Sequence, residues 1–172
     1  MTKAPVRVYT GSGKGKTTAA LGLALCRAGE RKPVYIGQFL KSGDYSETNS
    51  IAVFPDLITQ ETFGSGKFIR GNPSDDDISL AQDGFAKCSE AVLSGRFSLV
   101  IMDEANVALS MGLLNFAQVA ELIEKKPAET ELILTGRKAP AELIEIADIT
   151  TEMVDIKHYY RRGIPAREGI EK

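Results

Sequence analysis

The stretch YTGSGKGKTTAALG, Tyr9 to Gly22, decides how the rest of the chain is read. The run VRVYT (6–10) predicts a strand, and residues 16–28 form an apolar helical pattern that Gly29 ends. A glycine-rich loop between strand and helix, closing on Gly15, Lys16 and Thr17, has the context a phosphate-binding loop requires. Its glycines let successive N–H groups turn inward on phosphate oxygens, and the helix start adds partial positive charge. The expected cradle is Thr10, Gly11, Ser12, Gly13, Lys14, Gly15, Lys16, Thr17 and Thr18. Lys16 reaches the terminal phosphates and Thr17 gives its hydroxyl to Mg²⁺. Thr10 stands where the common pattern has glycine, so Gly11 and Gly13 must make the turn. Lys14 is a second cation in the loop. The extra signature lysine of dimeric switch ATPases would fall at Gly11 instead.

Outward from this loop, β-branched apolar runs alternate with helical patterns, which predicts βαβ units and a three-layer α/β fold with a mostly parallel sheet. Strands are expected at 33–39, 57–62, 97–104, 130–136 and 149–154. The segment behind residue 39 reads as a loop running into a short helix. A longer helix is expected over 76–93, with Ser74 as its cap and carboxylates in its first turn. Helices are also expected from Leu113 to a stop at Pro127, and from Pro140, suited to the first turn. No linker interrupts the pattern, and one domain over 1–172 is expected.

In open α/β sheets ligands collect beyond the carboxyl ends of the strands. Gln38 with Lys41, Asp103 with Glu104, and the run Thr135, Gly136, Arg137 all fall there. Asp103 and Glu104 close a continuous apolar strand, where carboxylates hold Mg²⁺ directly or through water. Arg137 has the planar fork that grips a phosphate chain.

Lys+Arg is 21 against Asp+Glu 23, a net charge of −2, so no strong field for nucleic acid is present. The longest apolar run, Ala19 to Cys26, is far short of the ~18 residues a membrane span needs. A soluble cytoplasmic protein with neither nucleic-acid nor membrane partner is expected. Cys26 and Cys88 lie in apolar helical patterns and read as buried thiols. The one histidine, His158, reads as a packed or surface residue in a basic tail with Arg161, Arg162 and Arg167.

Four segments together resemble the ATP:corrinoid adenosyltransferase family of phosphate-loop type: VYTGSGKGKTTAALG, LVIMDEANVAL, LILTGRKAPAELIEIADITTEM and IKHYYRRGIPAREGIE. The resemblance covers nearly the whole chain in order. It implies a RecA-like sheet, a homodimer, and transfer of the 5′-deoxyadenosyl group of ATP to the cobalt of a reduced corrinoid with release of triphosphate. It further implies ATP as co-substrate with Mg²⁺, and an electron donor such as a flavoprotein. By the same resemblance Gly11 to Thr18 cradle the triphosphate, Thr17 and Glu104 hold Mg²⁺ with Asp103 beside them, and Arg137 sits near the nucleotide; Lys41, from its place at a strand end, joins the nucleotide-binding candidates. An apolar wall must replace the ligand below cobalt, and ETFGSGKFIRG (61–71) is the candidate, with Phe63 and Phe68 as wedges. Some family members have a phenylalanine and a tryptophan close together in this segment; this chain has Ile69 beside Phe68 and no tryptophan. The rival readings are a nucleoside kinase, whose usual four-cysteine zinc lobe two cysteines cannot build, and an ATP-driven switch.

Overall fold

The computed structural model describes residues 3–43, 46–67, 69, 71–157, 163 and 167. Six strands form one sheet: β1 (Val6–Thr10), β2 (Val34–Phe39), β3 (Ile58–Phe63), β4 (Leu99–Asp103), β5 (Glu131–Thr135) and β6 (Ile149–Glu152). Their order is β3-β2-β4-β5-β1-β6, and every pairing is parallel. The helices are α1 (Lys16–Gly29), α2 (Ser46–Ile51), α3 (Asp75–Leu93), α4 (Ala105–Ser110), α5 (Phe116–Lys125) and α6 (Ala141–Ile146).

Two apolar clusters, one on each face of the sheet, make the three layers. β2, β4 and β5 are buried at every residue, which is why their sequences run apolar without alternation. α1 meets one face through Ala20, Ala24 and Ala28, a stripe at four-residue spacing whose small side chains let the helix lie close. Cys26 falls about half a turn from that stripe and is exposed, contrary to the sequence expectation, whereas Cys88 on α3 is buried. α3 begins with a capping box in which Ser74 and Asp77 satisfy each other's backbone N–H groups. Pro140 caps α6 from outside the helix; the sequence placed it one position further in. α4 was not expected: it starts directly from β4 with no intervening loop, and its signal is only Ala105, Ala108 and Leu109 on one face.

Phe63, at the end of β3, turns its ring onto Gly84 of α3 and lies 6.0 Å from the Phe39 ring. A Cβ on Gly84 would come within 2.6 Å of the Phe63 ring. Gly84→Ala is therefore expected to destabilise the protein by about 1–3 kcal/mol through overpacking, read as a lower urea midpoint at unchanged slope. An unshifted midpoint would show that the ring sits elsewhere.

Candidate active site

The phosphate loop, residues 11–15, lies between β1 and α1. Gly11 and Gly15 have φ of +97° and +105°, a region that side chains with a Cβ rarely enter. Gly13 is required for a different reason. Its N–H donates to the Met153 carbonyl at 2.6 Å, and a Cβ there would meet the same oxygen at 2.7 Å. The segment after β6 thus holds the loop from outside, a contact between sequence-distant backbones that no motif announces. Thr10, in the place usual for glycine, accepts the Ala139 N–H through its hydroxyl and ties the loop strand to the β5–α6 connection.

α1 opens on Gly15 with no side-chain cap and no acidic residue in its first turn, so its leading N–H groups and positive dipole end face the loop. Lys16 is buried and its Nζ donates to Gly11 O at 2.9 Å and Gly13 O at 2.5 Å. Burial pushes its ammonium below the ordinary lysine value; Glu104 and Asp103 oppose that and Arg137 adds to it. A polyanion brought to the loop would relieve the same penalty.

β5 stands between the loop strand β1 and the carboxylate strand β4, and its last residue joins the two halves of the site. Thr135 donates to Asp103 Oδ1 at 2.6 Å and accepts the Glu104 N–H at 3.1 Å. Asp103 is fully buried and takes four donors. Thr17 (2.8 Å) and Thr135 reach Oδ1, while Gln38 (3.0 Å) and Lys41 (3.0 Å) reach Oδ2. Burial opposes its charge, but Lys41 and the three hydrogen bonds outweigh burial and hold its carboxyl below the usual range.

Glu104 differs from its neighbour in backbone conformation, in hydrogen bonding and in the direction of its pKa shift. It sits at φ +61°, left-handed for a residue with a Cβ, and that turn aims its side chain into the cleft and not along the strand. Among the described residues no hydrogen bond reaches its carboxylate; burial, then the Asp103 charge, push its pKa up against the pull of Lys41, Lys16 and Arg137. The two carboxylates therefore divide their work. Asp103, with every lone pair engaged, organises Thr17, Gln38, Thr135 and Lys41, and Glu104 is the one left to meet a cation. Thr17 hydroxyl and Glu104 carboxylate are both hard oxygen donors beside a phosphate cradle, a set that fits Mg²⁺ when phosphate and water complete its shell.

A cavity of about 840 Å³ joins these parts. At one end are the loop, Lys41, Glu104 and the exposed Arg137; from there it runs between α1 and α2, where Leu21, Leu25 and Ile51 give it an apolar wall. Of the residues singled out in the sequence, Gly13 to Thr18, Lys41, Glu104 and Arg137 line this one space. Thr10, Gly11 and Asp103 support it from behind, and Ser12 is exposed on the loop. Phe63 is packed towards the core, and Phe68, His158, Arg161 and Arg162 lie outside the described residues. Sequence reasoning missed Asn106, whose buried amide donates to Tyr9 O and Gly136 O at 3.1 Å each and so pins β1 to the end of β5. It also missed Gln60, which reaches Gln38 from β3.

Among solved structures the chain is similar to the KaiC-like protein PH0186 of Pyrococcus horikoshii, with a TM-score of 0.56 and 17% identity over 87% of this chain and 73% of that one. That likeness is one of fold and agrees with a RecA-like P-loop NTPase architecture. In sequence, the corrinoid adenosyltransferase of Sinorhizobium sp. is 35% identical over 98% of this chain and 80% of its own length. The corrinoid adenosyltransferase of Pseudomonas aeruginosa is 32% identical over 95% and 81%, and that of Escherichia coli 26% over 95% and 83%. The family profile described as ATP:corrinoid adenosyltransferase BtuR/CobO/CobP matches residues 2–171, and on that match, laid over the phosphate cradle and carboxylate pair, the chain belongs to the ATP:corrinoid adenosyltransferase family.

Proposed function

We propose that this chain transfers the 5′-deoxyadenosyl group of ATP to Co(I) of a reduced corrinoid, cobalamin or cobyrinic acid a,c-diamide, and releases triphosphate. The observation that carries this reading is one continuous cavity that begins on the phosphate loop and continues along α1 and α2, leaving room for the atoms beyond a held polyphosphate. The cobalt attacks the ribose C5′. The Co–C bond forms as the C5′–O bond breaks, the electron pair leaves on triphosphate oxygen, and Co(I) becomes formally Co(III). No proton moves, so the reaction asks for no general base. What the protein supplies is a place for the departing charge and alignment of the reacting atoms.

Lys16, the loop N–H groups and the α1 terminus carry the first task, with Lys14, Lys41 and Arg137 facing the same anion. Thr17 and Glu104 would hold Mg²⁺, with Asp103 orienting Thr17; the ion neutralises charge on the leaving triphosphate. The second task falls to the apolar surfaces. Residues 61–71 are our candidate for the wall below cobalt, Phe63 anchoring the segment through its packing on Gly84 and Phe68 making the contact. A homodimer working in the cytoplasm, supplied with electrons by a flavoprotein, completes the reading. Among the described residues no helix is long and apolar enough to cross a membrane.

The test is anaerobic incubation with Mg-ATP and chemically reduced cobalamin, following Co(I) absorbance and the phosphate products. Triphosphate together with a light-sensitive corrinoid is the expected result. ADP with a phosphorylated acceptor would identify a kinase, and ADP with phosphate a switch; either overturns the proposal.

A further inference from the structure

Asp103 does not stand alone behind the loop. Gln38 faces it across the parallel β2–β4 pairing and lies wholly buried in a strand otherwise apolar or small. Because a carboxylate only accepts, the Gln38 amide has one permitted direction: its Nε2 donates to Asp103 Oδ2 at 3.0 Å and its Oε1 points towards β3. Gln60 of β3 meets that oxygen with its own Nε2, which also lies 3.3 Å from the Thr48 hydroxyl of α2. The direction imposed by Asp103 thus passes through two amides. At the far end it leaves Gln60 Oε1 buried without a partner. An unpaired buried acceptor costs stability, and apolar side chains at both amide positions would avoid that cost. α2, the element that Thr48 belongs to, also walls the cavity and reaches Asp103 a second way, through Glu47 and the shared Lys41.

We propose that Gln38 and Gln60 are positioning residues for the metal–triphosphate site: the Gln60–Gln38 amide pair fixes the rotation of the Asp103 carboxylate, and through it the Thr17 hydroxyl, while tying both to α2. This rests on the proposed reading that Thr17 and Glu104 hold a divalent cation. Its signature is a separation of site affinity from stability, since a pair kept only for packing would move the two together.

The experiment measures Mn²⁺ binding by electron paramagnetic resonance in the presence of inorganic triphosphate, alongside thermal midpoints, for the full chain. Gln60→Leu is expected to weaken Mn²⁺ about fivefold, the worth of one hydrogen bond, with a midpoint close to the wild type's, because it removes the unpaired Gln60 Oε1 and leaves Gln38 Oε1 unpaired in its place. Gln60→Glu offers Gln38 only acceptors, turns its amide around and sets an acceptor against Asp103; a loss of more than about tenfold is expected. Gln60→Leu with wild-type Mn²⁺ affinity, or an affinity loss matched by a lowered midpoint in both variants, would overturn the proposal. Wild-type Mn²⁺ binding that is untouched by Glu104→Gln would instead remove the metal reading beneath it.

Discussion

Lys16→Ala is expected to lower turnover by at least about 10²-fold, the scale seen when one fixed donor is taken from a developing anion. In the structure the ammonium is buried and rests on Gly11 O and Gly13 O. Its position is therefore set by the loop and needs little reorganisation when charge builds on the leaving triphosphate. The loss should fall on kcat and not only on KM, because the interaction strengthens as the C5′–O bond breaks and charge accumulates. Lys16→Arg should not rescue it, since the planar fork cannot occupy a pocket shaped for a point donor. The loop itself should survive, because Gly13 N still bonds Met153 O and the glycine conformations are unchanged. Single-turnover loss of Co(I) absorbance under anaerobic conditions reads the effect. A rate within threefold of wild type, with the thermal midpoint intact, would remove Lys16 from leaving-group stabilisation.

Much of this site was readable from the sequence because its parts are local. A cradle made of consecutive N–H groups must be consecutive residues, so Gly11 to Thr18 announced itself. Asp103 and Glu104 became legible beside it, because a carboxylate pair ending an apolar strand says little alone and much when coupled to a phosphate loop. The strand order follows less directly. That β5 separates β1 from β4, making Thr135 the joint between loop and carboxylates, depends on which strands pair, and local periodicity carries no such information. The same holds for Met153 against Gly13 and for Gln60 against Gln38: each is a contact across more than twenty positions, with unremarkable residues at both ends. Cys26 was misplaced because α1 is apolar nearly all round, and only the packed structure shows that its sheet-facing stripe is the alanines. The different duties of Asp103 and Glu104 were also hidden. They are neighbours of like chemistry, and only the left-handed turn at Glu104 sends one into the protein and the other into the cleft.

That difference yields the second large effect. Glu104→Gln is expected to raise the thermal midpoint of the nucleotide-free, metal-free protein at neutral pH while abolishing the response to Mg²⁺. The sign follows from the raised pKa. Folding lifts the Glu104 carboxyl above its ordinary value, so the folded state favours the protonated form, and stability is lost as pH rises from the unfolded pKa through the folded one. Below about pH 4, where both states carry the proton, variant and wild type should coincide; above it the wild type should fall behind and stay behind. Asp103, held down by Lys41 and its hydrogen bonds, runs the other way: its contribution is present above the unfolded pKa and disappears as pH falls through the folded one. The Gln variant leaves backbone and volume alone, so the strain of the left-handed residue is common to both proteins and cancels. With the Mg²⁺–triphosphate complex at a hundred times its dissociation constant, the wild type should gain about 2.7 kcal/mol, whereas the variant should gain only what triphosphate alone gives. Turnover should drop on the order of 10³-fold, the equivalent of several kcal/mol of charge neutralisation. A variant that is no more stable at pH 7 would show that folding does not penalise the Glu104 charge, and one that Mg²⁺ still stabilises as it does the wild type would show that the cation is held elsewhere and that Glu104 faces the cleft for another purpose.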